Sequence, residues 1–424
     1  MDQGNTGGGY LRALEALINW FLESGIMPSR MGEKGVYEKY YLLKDNPLKA
    51  SVRCASFADQ RMGDGAFSTF LRSDCCLETA YAFRLYYEVT GQVRFKRIAE
   101  HLVRFTLTRL QEMDGRRRDF GAFAFRIGTD DKYIDDNGRI LSILSQLYVL
   151  DGDPSVLAAA EHLTDWFCRE LQTDHWLHVY QRASSSWLDF PSISCNFKAL
   201  YGLSDFYLLT GEERVLRTVR KVSDWLLPKQ LPSGRFITGY EVSQGKYFDN
   251  EPVSAPTINA ARALANLYYA TGEERYRKGA EGAFSWLMAL QDEGGAVPQA
   301  DSESRDASEK NSTQVADLVY GINWYPIACH LFGKTTGDEK VLTSGRNALD
   351  FLTRIQIKSS DAALDGAWRG SFDFRNNEWA GQNWTASNQQ DEGGCFSVYS
   401  GWTNAPIAWS LAVYGTGGDF RLRR

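Results

Sequence analysis

Apolar residues recur along this chain at helical spacing, in segments that are separated by short, regularly repeated turns. Each turn carries a glycine, and successive glycines are 61, 59, 61 and 65 residues apart: Gly91, Gly152, Gly211, Gly272 and Gly337. A glycine after an apolar helical run supplies a left-handed C-cap, and the Asp, Glu or Pro that follows favours a new helix. The pattern therefore predicts a repeat of helical hairpins.

The two helices of each hairpin differ in polarity. Segments before a turn, such as ALYGLSDFYLL, are apolar or small nearly all round, which is typical of helices buried between neighbours. Segments after a turn, such as EERYRKGAEGAFSWLMAL, carry charge on one face and predict an outer layer. A tyrosine precedes each of the first four glycines by four residues, and an aromatic residue follows all five by fourteen. The sequence thus alternates inner and outer helices.

Five hairpins and one unpaired helix at each end, at 10–24 and 404–415, predict twelve helices, six inner and six outer. Pairing of the two end helices would close a ring. The predicted fold class is therefore all-α, an (α/α)6 toroid, and an open helical solenoid is the alternative. We divide the chain into a flexible segment at 1–9, a single toroidal catalytic domain at 10–415 and a C-terminal tail at 416–424.

The connections between helices are unequal in length. Inner-to-outer turns are short, whereas outer-to-inner connections are long and contain strand-like pieces such as HWLHVYQ and AWRGSFDF. Long loops on a rigid scaffold commonly carry functional sites. These loops end where the inner helices are predicted to begin, near Asp74, Asp135, Ser194, Ala255, Thr313 and Asn404.

Two carboxylates occupy equivalent positions in this repeat. Asp74 and Asp135 each lie seventeen residues before a turn glycine, at the starts of neighbouring inner helices, and Asp136 follows directly. A pair of carboxylates facing one cavity is the minimum for general acid/base chemistry on a glycosidic bond. The alternative is that Asp74, Asp135 and Ser194 are simply helix N-caps.

Composition and charge limit the possible partners. The 424 residues carry 47 Lys and Arg against 53 Asp and Glu, so nucleic acid is not an expected partner. No apolar run is long enough to predict a membrane span. The seven cysteines lack framework spacing and no secretory leader is visible, so we expect a cytoplasmic, reduced protein, although the Gly-rich start is also typical of a truncated chain.

We expect no metal and no cofactor from the motifs. His175 and His178 would share one face of a strand, but two histidines without a third ligand are weak evidence for a metal site. The long loops hold aromatic side chains suited to stacking on sugar rings, among them Trp187 and Trp402, and basic side chains suited to a sugar carboxylate, among them Arg72 and Arg139. The expected partner is an oligosaccharide substrate.

Four segments together carry a family resemblance. They are SDCCLETAYAFRLYYEVTG, YIDDNGRILSILSQLYVLDGDPSVLAAAEH, SCNFKALYGLSDFYLLTGE and PVSAPTINAARALANLYYATG. In order along the chain they resemble the six-hairpin glycosidases, specifically the unsaturated glucuronyl and rhamnogalacturonyl hydrolases of glycoside hydrolase families 88 and 105. The resemblance implies a hydrolase that acts on a terminal, unsaturated uronic acid residue of a short oligosaccharide.

The resemblance also implies roles for individual residues. The two family aspartates fall on Asp135, as acid/base, and on Asp74, in support. Asn137 lies near the motif asparagine, and Asn196 and Lys198 stand where the family has Arg-Gly-Gln-x-Trp. That signature and the family's Met-Met, here Asn137-Gly138, are altered, so a saturated glucuronide or another sugar stays possible.

Two other classes of function remain open. A polysaccharide lyase or a sugar epimerase would also suit an α/α toroid, with His175 or His178 as the base. A non-catalytic glycan-binding toroid is the third possibility. Product mass distinguishes them, because hydrolysis adds water, lysis creates an absorbing double bond and epimerisation leaves the mass unchanged.

Overall fold

The computed structural model describes residues 6–44, 61–62, 65–171, 178–188, 193–241, 246–248, 253–303, 312–381 and 394–422. Within these ranges the chain forms twelve α-helices, as the repeat predicts. They are α1 (Thr6–Glu23), α2 (Ser73–Thr90), α3 (Val93–Arg109), α4 (Ile134–Asp151), α5 (Pro154–Glu170), α6 (Ile193–Thr210), α7 (Glu213–Leu226), α8 (Ala255–Thr271), α9 (Glu274–Leu290), α10 (Tyr325–Thr336), α11 (Glu339–Arg354) and α12 (Ala405–Thr416).

The turn glycines end the inner helices in the left-handed conformation, as predicted. Their φ angles are 66° at Gly91, 65° at Gly152, 72° at Gly211, 70° at Gly272 and 75° at Gly337. A residue with a Cβ adopts this conformation only at a cost, which explains why glycine recurs at this one position of the repeat.

The chain forms two compact units. The first comprises the described parts of Met1–Phe105, Gln291–Pro326 and Ser344–Asp419, and the second those of Thr106–Leu290, Ile327–Thr343 and Phe420–Arg424. In the first unit α12 packs against both α1 and α2. The predicted pairing of the first outer helix with the last inner helix is therefore confirmed.

The second unit places the inner helices α4, α6 and α8 side by side, and each packs against the outer helix that follows it. Helices α4 and α6 touch through their backbones. A Cβ added at Gly138 would meet the backbone of Lys198 at under 3.0 Å, and one added at Gly202 would meet the backbone of Gly138 just as closely. Only glycine allows this approach, which brings the second turn of α4 against the backbone of the second and third turns of α6.

Short antiparallel sheets line the long connections. In the first unit β1 (Lys39–Leu42), β2 (Arg61–Met62), β3 (Gly65–Ser68) and β11 (Ser397–Tyr399) form a sheet of order β11-β1-β3-β2, and β9 (Val315–Asp317) pairs with β10 (Ser371–Asp373). In the second unit β4 (Lys132–Tyr133), β5 (Val179–Gln181) and β6 (Ser186–Leu188) form one sheet, and β7 (Gly239–Glu241) pairs with β8 (Lys246–Phe248). The predicted strand-like pieces thus contain β5 and β10.

Two predicted boundaries are wrong. Helix α10 begins at Tyr325 instead of near Thr313, because β9 and a turn occupy the intervening residues. The Asp317 carboxylate accepts hydrogen bonds from the backbone N–H groups of Val319 and Tyr320, which stabilises this turn in place of a helix. Helix α1 begins at Thr6, so residues 6–9 of the predicted flexible segment are helical. No helix in the described residues is both long and apolar enough to cross a membrane.

Candidate functional site

Both predicted aspartates lie one residue inside their helices. The N-cap of α2 is Arg72 and that of α4 is Tyr133, and neither makes a side-chain capping bond. Asp74 and Asp135 are the second residues of these helices, so the N-cap interpretation is wrong for both. Their carboxylates are bound by other side chains instead.

Asp135 lies in a buried cluster of unlike side chains in the second unit. The Lys198 Nζ is 3.3 Å from Asp135 Oδ2, and the two side chains are 3% and 7% exposed. Ligand-type atoms of Asp135, His178 and Cys195 all lie within 4.8 Å of one another. Lys198 and Cys195 come from the first two turns of α6, and His178 comes from the residue before β5. The site thus brings together a carboxylate, an imidazole, a thiol and an ammonium.

The backbone of His178 is fixed to the start of α4. The Ile134 N–H donates to the His178 carbonyl at 2.8 Å, and Tyr133 packs edge-on against the imidazole with ring centroids 5.4 Å apart. Burial lowers the pKa of His178 to about 4; Asp135 opposes this shift and Lys198 adds to it. The imidazole is therefore neutral at pH 7 and can accept a proton.

The residues after Asp135 have different partners. Asp136 is 1% exposed and forms a 2.8 Å ion pair with Arg139 on the same helix. Both ends of the Asn137 amide bind backbone: Oδ1 accepts from Phe123 N at 2.8 Å, and Nδ2 donates to the carbonyls of Phe123 and Tyr133. Asn137 thus holds the preceding loop onto α4, a task that the resemblance did not imply.

Asp74 lies in a separate ion-pair network in the first unit. It is fully buried, and Arg72 binds it with two parallel hydrogen bonds of 3.0 and 2.8 Å. Trp402 Nε1 donates to Asp74 Oδ2 at 2.8 Å, and its ring lies 5.1 Å from the Arg72 guanidinium. Arg72 also donates to Glu38 at 3.0 Å. Three predicted site residues therefore meet here: Asp74, Arg72 and Trp402. Each of them contacts the other two.

The remaining predicted residues are placed as follows. Trp187 on β6 stacks on Trp166 with centroids 5.6 Å apart, and its Nε1 donates to Glu170 at 2.9 Å. Asn196 is buried in the first turn of α6. His175 lies outside the described residues.

A second polar cluster lies deeper between the same inner helices. Asp205 on α6 accepts hydrogen bonds from Ser142 on α4 at 2.5 Å and from Asn266 on α8 at 2.9 Å. Arg262 stacks on Tyr201, with its guanidinium carbon 3.8 Å from the ring centroid. Burial raises the pKa of Asp205 to about 6, although both hydrogen bonds and Arg262 oppose the shift.

A polar cavity of about 430 Å³ lies beside the loop that precedes α4, within the second unit. Its lining includes Lys132 and Arg182, which share the buried carboxylate of Asp119, and Arg182 also pairs with Glu112 and Asp130. Asp135 does not line this cavity. The cavity is therefore distinct from the acid/base cluster.

Comparison with known proteins identifies the fold. No protein-family model matches the chain, and no curated protein matches it. Among solved structures, a sugar epimerase from a ruminal bacterium is similar with a TM-score of 0.70 and 14% identity, over 97% of this chain and 99% of that one. Cellobiose 2-epimerase from Spirochaeta thermophila has a TM-score of 0.68 and 12% identity over 98% and 99%. An α-1,6-mannanase of glycoside hydrolase family 76 from Salegentibacter has a TM-score of 0.60 and 11% identity over 96% and 99%. The chain has the (α/α)6 toroid fold predicted from its sequence.

Sequence reasoning missed two members of the clusters that hold Asp74 and Asp135, and it missed the whole Asp205 cluster. Cys195 carries no motif, and only its place two residues into the predicted helix near Ser194 could have drawn attention to it. Glu38 precedes a short strand that no periodicity indicates, yet it anchors Arg72 at 3.0 Å. The sequence singles out His178 as one of two histidines that would share a strand face, but its contact with Asp135 depends on the β4–β5 pairing.

Proposed function

We propose that this chain is a glycoside hydrolase whose acid/base chemistry lies at Asp135 and Asp136, at the start of inner helix α4. The observation that carries the proposal is the difference between these consecutive, buried carboxylates. Asp135 lies beside Lys198 and the neutral His178, whereas Asp136 forms an ion pair with Arg139. Glycosidases need two carboxylates of unlike function, and unlike surroundings are how proteins separate the two.

The fold neighbours support this choice. The Salegentibacter mannanase was solved as an inactive variant in which two consecutive aspartates are replaced by asparagine, in complex with α-1,6-mannotriose. Consecutive aspartates are what this chain carries at the start of α4. The other neighbours named above also act on sugars.

In this mechanism Asp135 is the acid/base group. It passes to the glycosidic oxygen of the leaving group a proton that Lys198, 3.3 Å away, supplies. Asp136, paired with Arg139, is the second carboxylate. It either attacks the anomeric carbon as a nucleophile or takes a proton from the water that attacks there. Carboxyl groups about 5–5.5 Å apart predict retention and those about 6.5–9.5 Å apart predict inversion. We assign Asp74 its supporting role from the resemblance, and its carboxylate is bound by Arg72, Trp402 and the Cys75 N–H.

The substrate class follows from the resemblance described above. We propose a terminal uronic acid residue, unsaturated or saturated, of a short oligosaccharide. The glycosidase helices that carry the two aspartates are retained in this sequence, and this retention supports the proposal. The altered Arg-Gly-Gln-x-Trp signature makes the choice between a saturated and an unsaturated sugar the first question for a substrate screen.

A sugar epimerase or isomerase is the second candidate, because one specific observation favours it. Proton abstraction beside a carbonyl needs a neutral base next to a proton donor, and His178 lies within 4.8 Å of Asp135. Two of the fold neighbours named above are epimerases. In this mechanism His178 removes the proton to give an enediolate, the enediolate turns over within the site, and the same imidazolium returns the proton to its other face.

One screen tests both candidates. The protein is incubated with aryl glycosides, lyase-generated oligosaccharides and free disaccharides, and the products are measured by mass. Hydrolysis adds one water, whereas epimerisation in D₂O adds deuterium at carbon without other mass change.

Asp135→Asn then tests the assignment of the acid. We expect turnover to fall by about 10²–10⁴-fold with the melting temperature retained, because the amide keeps the shape and loses the proton. The matched control is Asp153→Asn, an N-cap aspartate of α5 whose side chain accepts from Ser155 N, and it should leave turnover unchanged. Full activity in Asp135→Asn would refute the mechanism.

A further inference from the structure

Three metal-ligand types meet at one point of the second unit. Asp135 offers a carboxylate oxygen, His178 an imidazole nitrogen and Cys195 a sulfur, all within 4.8 Å of one another. The three residues are 5%, 8% and 5% exposed, so water reaches the point only in part. A mixed O, N and S set of three ligands with a fourth position open is typical of zinc sites.

The spacing suits a tetrahedral ion after a small contraction. Bond lengths of about 2.0–2.3 Å place ligand atoms around one zinc ion roughly 3.2–3.8 Å apart. The three ligand atoms now lie within 4.8 Å of one another, so side-chain shifts of about 1 Å bring them to this spacing. The backbones are already fixed, because the His178 carbonyl is bound by Ile134 N at 2.8 Å and Cys195 lies in the first turn of α6.

Charge balance explains how the ion and Lys198 are related. Lys198 Nζ lies 3.3 Å from Asp135 Oδ2 and neutralises it. A divalent cation bound by one carboxylate, one thiolate and a neutral imidazole has no net charge, and binding releases the thiol proton to solvent. The ion and the ammonium therefore compete for the same carboxylate.

We propose that Asp135, His178 and Cys195 form a binding site for a thiophilic divalent cation, with Zn²⁺ as the type, and that the cation displaces Lys198 from Asp135. Its consequence for catalysis rests on the proposed function. A cation on Asp135 removes the group that protonates the leaving oxygen, so zinc inhibits the enzyme reversibly and a chelator restores it.

The test uses Co²⁺ as a spectroscopic probe of the purified chain. A cobalt–thiolate bond absorbs strongly in the near ultraviolet, and we expect this band to saturate at one Co²⁺ per chain and to be removed by Zn²⁺. Cys195→Ser should abolish the band, and His178→Asn should weaken Co²⁺ binding at least about tenfold. The matched control is Cys168→Ser, a half-buried cysteine on α5, which should retain the band.

Lys198→Met tests the competition without touching a ligand. Removal of the ammonium should tighten Zn²⁺ binding at least about tenfold, measured by displacement of Co²⁺. The increase in melting temperature that zinc causes should also be larger in the variant than in the wild type. Absence of the band in the wild type, or a band that persists in Cys195→Ser, would overturn the proposal.

The band does not depend on activity. If every sugar in the screen is left unchanged, the proposed function fails while cobalt absorption still decides the metal site. If the cobalt band is present, a glycoside is cleaved and zinc does not inhibit, the metal site stands and the acid role of Asp135 fails.

Discussion

Asp205 gives the sharpest quantitative prediction, because its burial leaves a measurable pH dependence of stability. Its pKa is raised from 3.8 to about 6, chiefly by desolvation between α4, α6 and α8. The folded protein therefore keeps this proton over a pH range in which the unfolded chain has lost it. The perturbation is Asp205→Asn, which removes the titration and keeps a polar group beside Ser142 and Asn266.

The magnitude follows from linkage. A carboxyl with a raised folded-state pKa contributes most to stability below its unfolded pKa, and that contribution falls as the pH rises towards the folded value. The difference between a pKa of 3.8 in the unfolded chain and about 6 in the folded protein corresponds to about 3 kcal/mol in the free energy of unfolding. For 424 residues this is about 3 °C in melting temperature, from an unfolding entropy of about 2.1 cal/mol/K per residue.

The assay is the melting temperature of Asp205→Asn minus that of the wild type, measured at intervals from pH 4 to pH 7. We expect this difference to rise by about 3 °C in favour of the variant as the pH increases. Replacing the carboxyl by an amide also changes packing and hydrogen bonding, and this part does not titrate, so only the slope is diagnostic. The attraction between Arg262 and the Asp205 carboxylate is already contained in the folded-state pKa. The control Ser145→Ala removes a buried hydroxyl on α4 and no titratable group, so it should give no slope. A difference that stays constant across this range would refute the reasoning.

Three further substitutions test how the clusters are held. Gly138→Ala should lower the free energy of unfolding in urea by about 1–3 kcal/mol, because the added Cβ meets the α6 backbone. The control Gly9→Ala, where the Cβ meets open space, should leave it unchanged. Equal effects of the two substitutions would contradict the close approach of α4 and α6. Trp402→Phe should cost about 2 kcal/mol, since it leaves a buried oxygen of Asp74 without its indole donor; unchanged unfolding would show that the bond contributes nothing. Asn137→Ala should lower the free energy of unfolding by about 3 kcal/mol, because it removes three hydrogen bonds to the backbone. Unchanged stability with a raised KM would instead indicate that Asn137 binds the substrate.

The helical repeat was predictable because its signals are local. A glycine at a fixed distance from apolar positions ends a helix through its own backbone freedom, and the five turns are where the spacing predicts them. The start of α10 was not predictable in the same way, since Asp317 forms a turn that the register of the other hairpins does not contain.

The resemblance to the six-hairpin glycosidases placed the two family aspartates on Asp74 and Asp135, and the sequence places both at the starts of inner helices. Sequence spacing alone could not distinguish a capping aspartate from one that is bound by distant side chains. That distinction rests on Trp402, which is 328 residues from Asp74, and on Lys198, which is 63 residues from Asp135.

The sequence by itself therefore determined the helices, their order and the ends at which carboxylates stand, because hydrogen bonding and turn chemistry act between near neighbours. Only the tertiary structure decided the chemical partners of each carboxylate. The Gly138–Gly202 approach brings α6 against α4, and the β4–β5 pairing brings His178 to the same point. Contacts between segments far apart in the chain depend on packing geometry, which no local pattern encodes.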